Sequence, residues 1–423
     1  MSAARAAGLS AERLFFPAAA LFAIAAVPAW LAALAGSIPA PGPHWHAHEM
    51  LFGYALAVVA GYLLTRVSRV RLTVLFLAWV AARVSPFVVA HDSPAVIVPN
   101  LLFAGLLAWQ AALPFLRAAK KPENRVFGAL FIAFAAFELL YQLGASGVAE
   151  WIAARAAVQG CGDCGFLRGL EPVALLLALD LFTLLMLMMG GRAIPPAVAG
   201  HFYRRGRFLE ARVQPALERA VILLMIATTL LDPVRAAWPL AGLMALATAA
   251  VTARRLWRWH LWEVLDEPNL WALGLAYFWL IPGLALKGIA QVSGVLPLNE
   301  ALHGITVGGL GTLTLVMMAR THLQRSHIGI SRFGDRIEPR RAGHGRPACE
   351  FGDIGVGAVL VGVAALLRIA APLAGAGFHM PLLWASACAW VAAYAVLLLR
   401  LLSSSLRRRS PAADRRAADG SPS

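Results

Sequence analysis

The densest group of side chains that could bind a metal lies in one short segment, PHWHAHEM, which contains His44, His46 and His48. Neutral imidazole suits copper, iron and zinc as a ligand. Glu49 follows directly, and a carboxylate in this position can accept an imidazole N–H or relay a proton. His303 opens another apolar segment far along the chain, and the topology below places it at a similar depth. A metal site in a helical bundle requires such convergence of side chains from separate helices.

The local conformation decides which histidines act together. If residues 44–48 are helical, His44 and His48 share a face and His46 points away. If the segment is still extended before the helix begins, His46 and His48 can converge on one ion. The alternative to a metal site is a solvated loop that happens to carry three histidines.

Long apolar helices must position these side chains. The chain has 423 residues, of which 60% are hydrophobic and only 14% are charged, whereas soluble domains have about 45–50% and about 25%. This composition excludes a soluble globular protein, a disordered chain and a small disulfide scaffold. It predicts an all-α, polytopic helical membrane protein with about twelve transmembrane helices. The twelve apolar stretches lie near residues 14–36, 48–66, 71–90, 95–117, 125–146, 171–192, 216–234, 235–255, 269–291, 299–320, 353–373 and 380–402.

The basic residues predict the orientation of these spans. With both termini in the cytoplasm, 31 of the 37 Lys and Arg residues fall on the inner side and three on the outer side. Cytoplasmic loops of membrane proteins collect Lys and Arg in this way, so the net charge of +15 does not indicate nucleic-acid binding. We therefore expect one transmembrane domain over residues 1–402, with N-in and C-in topology. Residues 403–423 are expected to form a basic, disordered cytoplasmic tail.

Several further motifs have a structural and a chemical interpretation. Arg192 lies in GGRAIPP, where two prolines are expected to end or bend the helix, and its guanidinium suits a lipid phosphate or a haem propionate. Cys161 and Cys164 form a CGDC motif in a predicted outer loop, and they could form a disulfide, capture a metal or act as a redox dithiol. Glycines in HGITVGGLG favour close helix packing over space for a flat cofactor. Five charged residues lie inside predicted spans, where ion pairing between helices or snorkelling near the helix ends explains most such residues: Arg83, Glu138, Asp180, Lys287 and Arg368.

Three sequence blocks resemble those of one family. They are WHAHEMLFGYALAVVAGYLLT at 45–65, GGRAIP at 190–195 and ALHGITVGGLGTLTLVMMAR at 301–320. They are similar to the blocks of the NnrS family, whose members are bacterial inner-membrane proteins that contain haem and copper and are linked to nitric oxide and nitrosative stress. The resemblance implies a multi-pass protein of the bacterial inner membrane that binds haem and copper.

The resemblance also implies roles for individual residues. His46, His48 and His303 correspond to candidate ligands of the metal and of haem, with Glu49 and Arg192 as supporting residues. The chain departs from the family pattern at Gly274 and Gln142, where many members carry histidines. Fewer histidines imply fewer axial ligands for haem in this protein.

The resemblance implies a protein that acts on nitric oxide or a metal–nitrosyl ligand at the outer face. Binding of that ligand, relief of metal–nitrosyl damage and redox chemistry are separate alternatives for this action, and a respiratory protein is a candidate partner. Two other classes fit the sequence. A transporter of a metal or small ion would have many spans, but such proteins often contain internal repeats, and this sequence shows none. An assembly factor that hands copper or haem to a respiratory enzyme would also place histidines near the surface.

Overall fold

The computed structural model describes residues 10–39, 42, 44–65, 67–90, 92–118, 122–148, 155, 169–328 and 348–407. Cys161 and Cys164 lie outside the described residues, and so does the predicted tail from residue 408 onward. Within the described ranges the regular structure is helical and contains no β-strand.

Twelve long helical segments follow one another along the described chain, and each coincides with one predicted span. Their bounds are α1 Ala11–Leu34, α2 45–63, α3 Arg69–Val84, α4 Pro94–Ala118, α5 Pro122–Ala145, α6 Leu170–Arg204, α7 Pro215–Leu231, α8 Trp238–Trp257, α9 Pro268–Ser293, α10 Leu298–Arg325, α11 Ala348–Ala370 and α12 Ala376–Arg407. Eleven helices among the described residues are long and apolar enough to cross a membrane. The predicted polytopic, all-α fold is therefore confirmed, and the chain is a multi-pass membrane protein.

The remaining predicted span is α2, in which the helix changes type twice. It begins as an α-helix at Trp45–His48, continues as a π-helix over Glu49–Ala55 and returns to an α-helix at Leu56–Leu63. A second π-helix, Gly304–Gly311, lies within α10. π-Helices are rare and occur frequently at functional sites. Each of these two begins directly after a histidine that the sequence singled out.

Buried contacts stabilise both π-helices. The indole Nε1 of Trp79 in α3 donates a hydrogen bond to the carbonyl of Gly53 at 2.8 Å. Tyr394 in α12 donates to the carbonyl of Gly311 at 2.9 Å. Three buried hydroxyl groups, which we call the hydroxyl cluster, join α2, α10 and α12 beside them: Tyr54, Thr314 and Tyr394.

The expected end of α6 near Gly190 is wrong. The helix continues through Pro195 and Pro196 to Arg204. Neighbouring side chains lie against the helix at this point, because the missing Cβ of Gly190 leaves room for the ring of Tyr277. Prolines are tolerated in membrane helices where neighbouring helices compensate for the freed backbone groups, so packing kept the helix intact here.

The glycines of α10 are covered by neighbouring side chains, which matches the close-packing interpretation. A Cβ at Gly308 would overlap the indole of Trp279, and one at Gly311 would overlap the indole of Trp390. The space beside this helix is therefore filled by aromatic rings of adjacent helices.

Candidate functional site

The start of α2 adopts the first of the two conformations considered for its histidines. Trp45–His48 is helical, and the backbone N–H of His48 donates to the carbonyl of His44 at 3.0 Å. His44 and His48 therefore face the same way, and both line one cavity of about 270 Å³, which we call the histidine cavity. His46 points elsewhere, so the helical geometry separates it from its two neighbours.

Residues of α5 and α6 form the opposite wall of the histidine cavity. Its lining includes Glu49, Asn100, Tyr141, Gln142 and Glu171. The Nδ1 of His44 lies 2.6 Å from Oε2 of Glu171, which is the second residue of α6. This contact fixes the end of α6 beside the start of α2, and we call this the histidine end of the bundle.

His48 lies between two carboxylates deep in the cavity wall. Its Nδ1 is 3.2 Å from Oε1 of Glu49, and its Nε2 is 3.1 Å from both carboxylate oxygens of Glu138 in α5. Its ring stacks on that of Tyr141 with 4.2 Å between centroids. Both imidazole nitrogens can donate hydrogen bonds only when the ring carries two protons. The geometry is that of an imidazolium held by two acceptors.

The charges of this network balance when His48 is protonated. Arg83 in α3 donates to Glu49 and to the side-chain oxygen of Asn100. The two carboxylates are then matched by one guanidinium and one imidazolium. His48, Glu49, Arg83 and Glu138 are all buried, and an unbalanced charge would be strongly unfavourable at such a depth.

Gly53 makes room for this network. It lies one helical turn after Glu49, in the π-helix, and a Cβ at this position would overlap the guanidinium of Arg83. A glycine is therefore required where the arginine crosses the backbone. The unusual helix and the charged network are thus parts of one arrangement.

His46 faces α1 instead of the cavity. Its ring stacks on the indole of Trp30 with 5.6 Å between centroids and an interplanar angle of 8°. Its Nδ1 is buried and has no hydrogen-bond partner among the described residues. His303 and Arg368 lie close enough to act electrostatically on the ring of His46. The histidine-bearing ends of α2 and α10 therefore lie on the same side of the bundle, and the convergence of His46 and His303 on one ion stays a prediction.

His303 has the hydrogen bonding expected of a metal ligand. Its Nδ1–H donates to the backbone carbonyl of Asn299 at 2.7 Å, which leaves the lone pair of Nε2 available. Metal-bound histidines are commonly oriented by such a hydrogen bond from the other ring nitrogen. Arg368 in α11 pairs with Glu300 of α10 on this side of the bundle.

The residues present fit metal or haem iron at His46 and His303 better than at His48. One buried nitrogen of His46 is unsatisfied and Nε2 of His303 is available, whereas both nitrogens of His48 face carboxylates. Among the described residues, no set of three His, Cys, Asp or Glu side chains is arranged to hold a metal ion. Two imidazoles would thus need a further ligand from outside this set. The ligand roles of all three histidines stay predictions.

Arg192 lies far from the histidine end. It follows Glu171 by 21 residues on the continuous helix α6, a separation of about 32 Å at 1.5 Å per residue. Its guanidinium lies 4.6 Å from the ring centroid of Phe127, at the other end of α5. The structure therefore does not bring Arg192 together with the histidines, and its role toward a cofactor stays a prediction.

Of the partners of His48, Glu49 was predicted as a supporting acceptor, whereas Glu138 was not identified as a site residue from the sequence. Ion pairing was the interpretation given to Arg83 and Glu138, and it is confirmed by their contacts with Glu49 and His48. Gln142 donates to Glu138 at 2.7 Å, so the residue that replaces a family histidine belongs to the same network. The sequence signal that could have identified these partners is the presence of ionisable residues inside apolar spans.

A protein-family model matches most of this chain. The family model described as NnrS protein matches residues 11–335, which is more than half of the chain. No curated protein matches the chain. The matched residues include both π-helices, the histidine cavity and the pair His46 and His303. The chain therefore belongs to the NnrS family, and its helices make it a multi-pass membrane protein.

Proposed function

We propose that this protein binds haem and copper in the bacterial inner membrane, near the periplasmic face, and acts in the response to nitric oxide. The observation that carries the proposal is that His46 and His303 lie on the same side of the bundle, close enough to interact electrostatically. The two imidazoles come from separate helices, lie beside π-helices and have nitrogen atoms available for a metal. Nitric oxide or a metal–nitrosyl species is the proposed ligand, and a respiratory protein is the proposed electron-transfer partner.

A bound metal would supply a coordination position for nitric oxide and a route for electron exchange. The protein orients the ligands. Trp30 fixes the plane of the His46 ring by stacking, and Asn299 fixes the tautomer of His303 by accepting from Nδ1. Arg368 acts electrostatically on both rings, and Glu300 already balances its positive charge.

The histidine cavity contributes a proton store beside this site. His48 and Glu49 both line the cavity, and the N–H groups of His48 are held by Glu49 and Glu138. Movement of a proton from His48 to either carboxylate requires no rearrangement of the helices. We infer that this network supplies or accepts protons at the cavity wall when the bound ligand reacts.

The proposal is tested by metal content and optical spectra. The protein is purified after expression with haem and copper supplied, and spectra are taken oxidised, reduced and after addition of nitric oxide. The unaltered protein is expected to contain metal and to show a haem band that shifts on reduction. His46→Ala and His303→Ala are expected to lose most of the bound metal and most of the haem band, because each variant lacks one of the two proposed ligands.

His379→Ala is the matched control. This histidine bonds the carbonyl of Ala371 at 3.1 Å and belongs to neither part of the site, so its removal should leave the metal content unchanged. His48→Ala is expected to retain more metal than His46→Ala, because both nitrogens of His48 already face carboxylates. Absence of haem and copper from the unaltered protein would contradict the proposal, as would equal metal content in all variants.

A further inference from the structure

A second buried charged cluster joins α6, α7 and α9. It contains Lys287 and Gln291 from α9, Asp180 from α6 and Asp232 at the end of α7. We call these four residues the lysine cluster. The exposed fraction is 0% for Lys287 and Asp180 and 2% for Asp232. Water therefore does not screen these charges, and the protein itself must balance them.

The two carboxyl groups receive different numbers of hydrogen bonds. Lys287 donates to Oδ1 of Asp180 and to Oδ2 of Asp232, the latter at 2.6 Å. Gln291 donates to Oδ1 of Asp232 at 2.7 Å. Both oxygens of Asp232 are therefore supplied with donors. Oδ2 of Asp180 is buried and receives no hydrogen bond among the described residues.

Lys287 holds the two carboxyl groups together, because its ammonium donates to one oxygen of each. An ionised carboxylate only accepts hydrogen bonds, so each of its buried oxygens needs a donor. Because Asp232 has a donor at each oxygen and Asp180 lacks one at Oδ2, a proton in this cluster belongs on Oδ2 of Asp180.

The charge of the lysine cluster leads to the same assignment. Two ionised carboxylates beside one ammonium would leave a net negative charge in the apolar interior, which is strongly unfavourable. Neighbouring helix α8 approaches α9 through Gly242, whose missing Cβ lets it touch Gly288, the residue after Lys287. The basic residue Arg255 lies 13 positions further along α8, about 20 Å away at 1.5 Å per residue. It donates instead to Leu187 and Tyr277 and pairs with Glu218.

We propose that the lysine cluster is a proton-binding site in the membrane interior, in which Asp180 holds the proton and Asp232 forms the ion pair with Lys287. Lys287 contacts both carboxyl groups, so a small shift of its ammonium toward Asp180 would favour release of the proton. Ionisable residues arranged in this way inside membrane helices are typical of proton relays. Asp180 lies nine residues beyond Glu171 on α6, about 14 Å deeper than the histidine cavity.

Infrared spectroscopy of the purified protein in lipid tests this proposal directly. A protonated carboxylic acid has a C=O stretching band that an ionised carboxylate lacks, and this band shifts in D₂O. We expect one such band to be lost in Asp180→Asn and in Asp232→Asn, because the shared proton needs both carboxyl groups. Asparagine has nearly the same shape as protonated aspartic acid, so both variants should fold.

Lys287→Met provides an opposite change. Without the ammonium, both carboxyl groups must be neutral, so the band from this cluster is expected to double. Asp353→Asn is the control, because Asp353 is an exposed carboxylate paired with Arg400 and its removal should leave the band unchanged. Identical carboxylic-acid bands in the unaltered protein and in Asp180→Asn would overturn the proposal. Such a result would mean that Asp180 carries no proton. The second negative charge of the cluster would then be balanced by a bound cation or left without a balancing ligand.

Discussion

Two glutamate–histidine pairs, each with its histidine in the lining of the histidine cavity, differ mainly in burial. Glu138 and His48 have side chains that are 1% and 4% exposed. Glu171 and His44 are 24% and 36% exposed. We expect Glu138→Gln to destabilise the protein much more than Glu171→Gln, although each change removes one negative charge beside a histidine.

The magnitude follows from the network around His48. Removing one partner of a buried ion pair costs about 3–5 kcal/mol, since the other charge is left buried. Glutamine keeps the volume of Glu138 and one hydrogen-bond acceptor, so we expect the low end, about 3 kcal/mol. A solvent-screened pair such as His44 with Glu171 contributes about 0–1 kcal/mol, and Glu171→Gln should lower the free energy of unfolding by no more than that.

The measurement is the free energy of unfolding in mixed detergent micelles, with helical content as the signal. Both variants replace a glutamate beside a histidine with glutamine, so the comparison controls for the lost charge and for the replacement of a carboxylate by an amide. Equal destabilisation by Glu138→Gln and Glu171→Gln would refute the reasoning, because burial would then not determine the contribution of the pair. A stable Glu138→Gln protein would also show that His48 can be neutral in the folded state.

Two further substitutions test the packing around the π-helix of α2. Gly53→Ala places a methyl group against the guanidinium of Arg83 and should cost about 1–3 kcal/mol by overpacking. In the same unfolding assay the control Gly105→Ala, which has open space, should be neutral or stabilising. Tyr54→Phe removes one hydroxyl of the hydroxyl cluster, while Thr314 and Tyr394 still donate to the carbonyls of Leu310 and Gly311, so it should cost about 0.5–1.5 kcal/mol. The exposed control Tyr203→Phe should cause no loss, and an equal effect in both tyrosine variants would contradict the role given to the cluster.

Much of the membrane architecture could be predicted from the sequence. Each of the twelve apolar stretches is a helical segment in the structure. The mean hydropathy of about 20 residues is a local property of the chain, and it determines whether that segment can span a bilayer. The end of α6 was not predicted, because it depends on contacts with other helices. The Gly190 and Pro195 signals are local, whereas packing against neighbouring helices accompanies a helix that continues as far as Arg204.

The candidate site was predicted only in part. The four-residue spacing of His44 and His48 fixes their common face once the segment is helical. It does not reveal that the carboxylates of Glu138 and Glu171 stand opposite them, because those residues come from helices distant in the sequence. The π-helices also escaped prediction, since they depend on buried contacts such as that of Trp79 with Gly53.

The sequence by itself determined that this is a helical membrane protein of the NnrS family, which positions carry its imidazoles, and which charged residues must find partners inside the bundle. Only the tertiary structure decided the pairings: His46 approaches His303, His48 is enclosed by carboxylates, and Lys287 joins two aspartates. Periodicity fixes the direction of a side chain about its own helix axis. The packing of distant helices fixes what it meets there, because that depends on contacts between residues hundreds of positions apart.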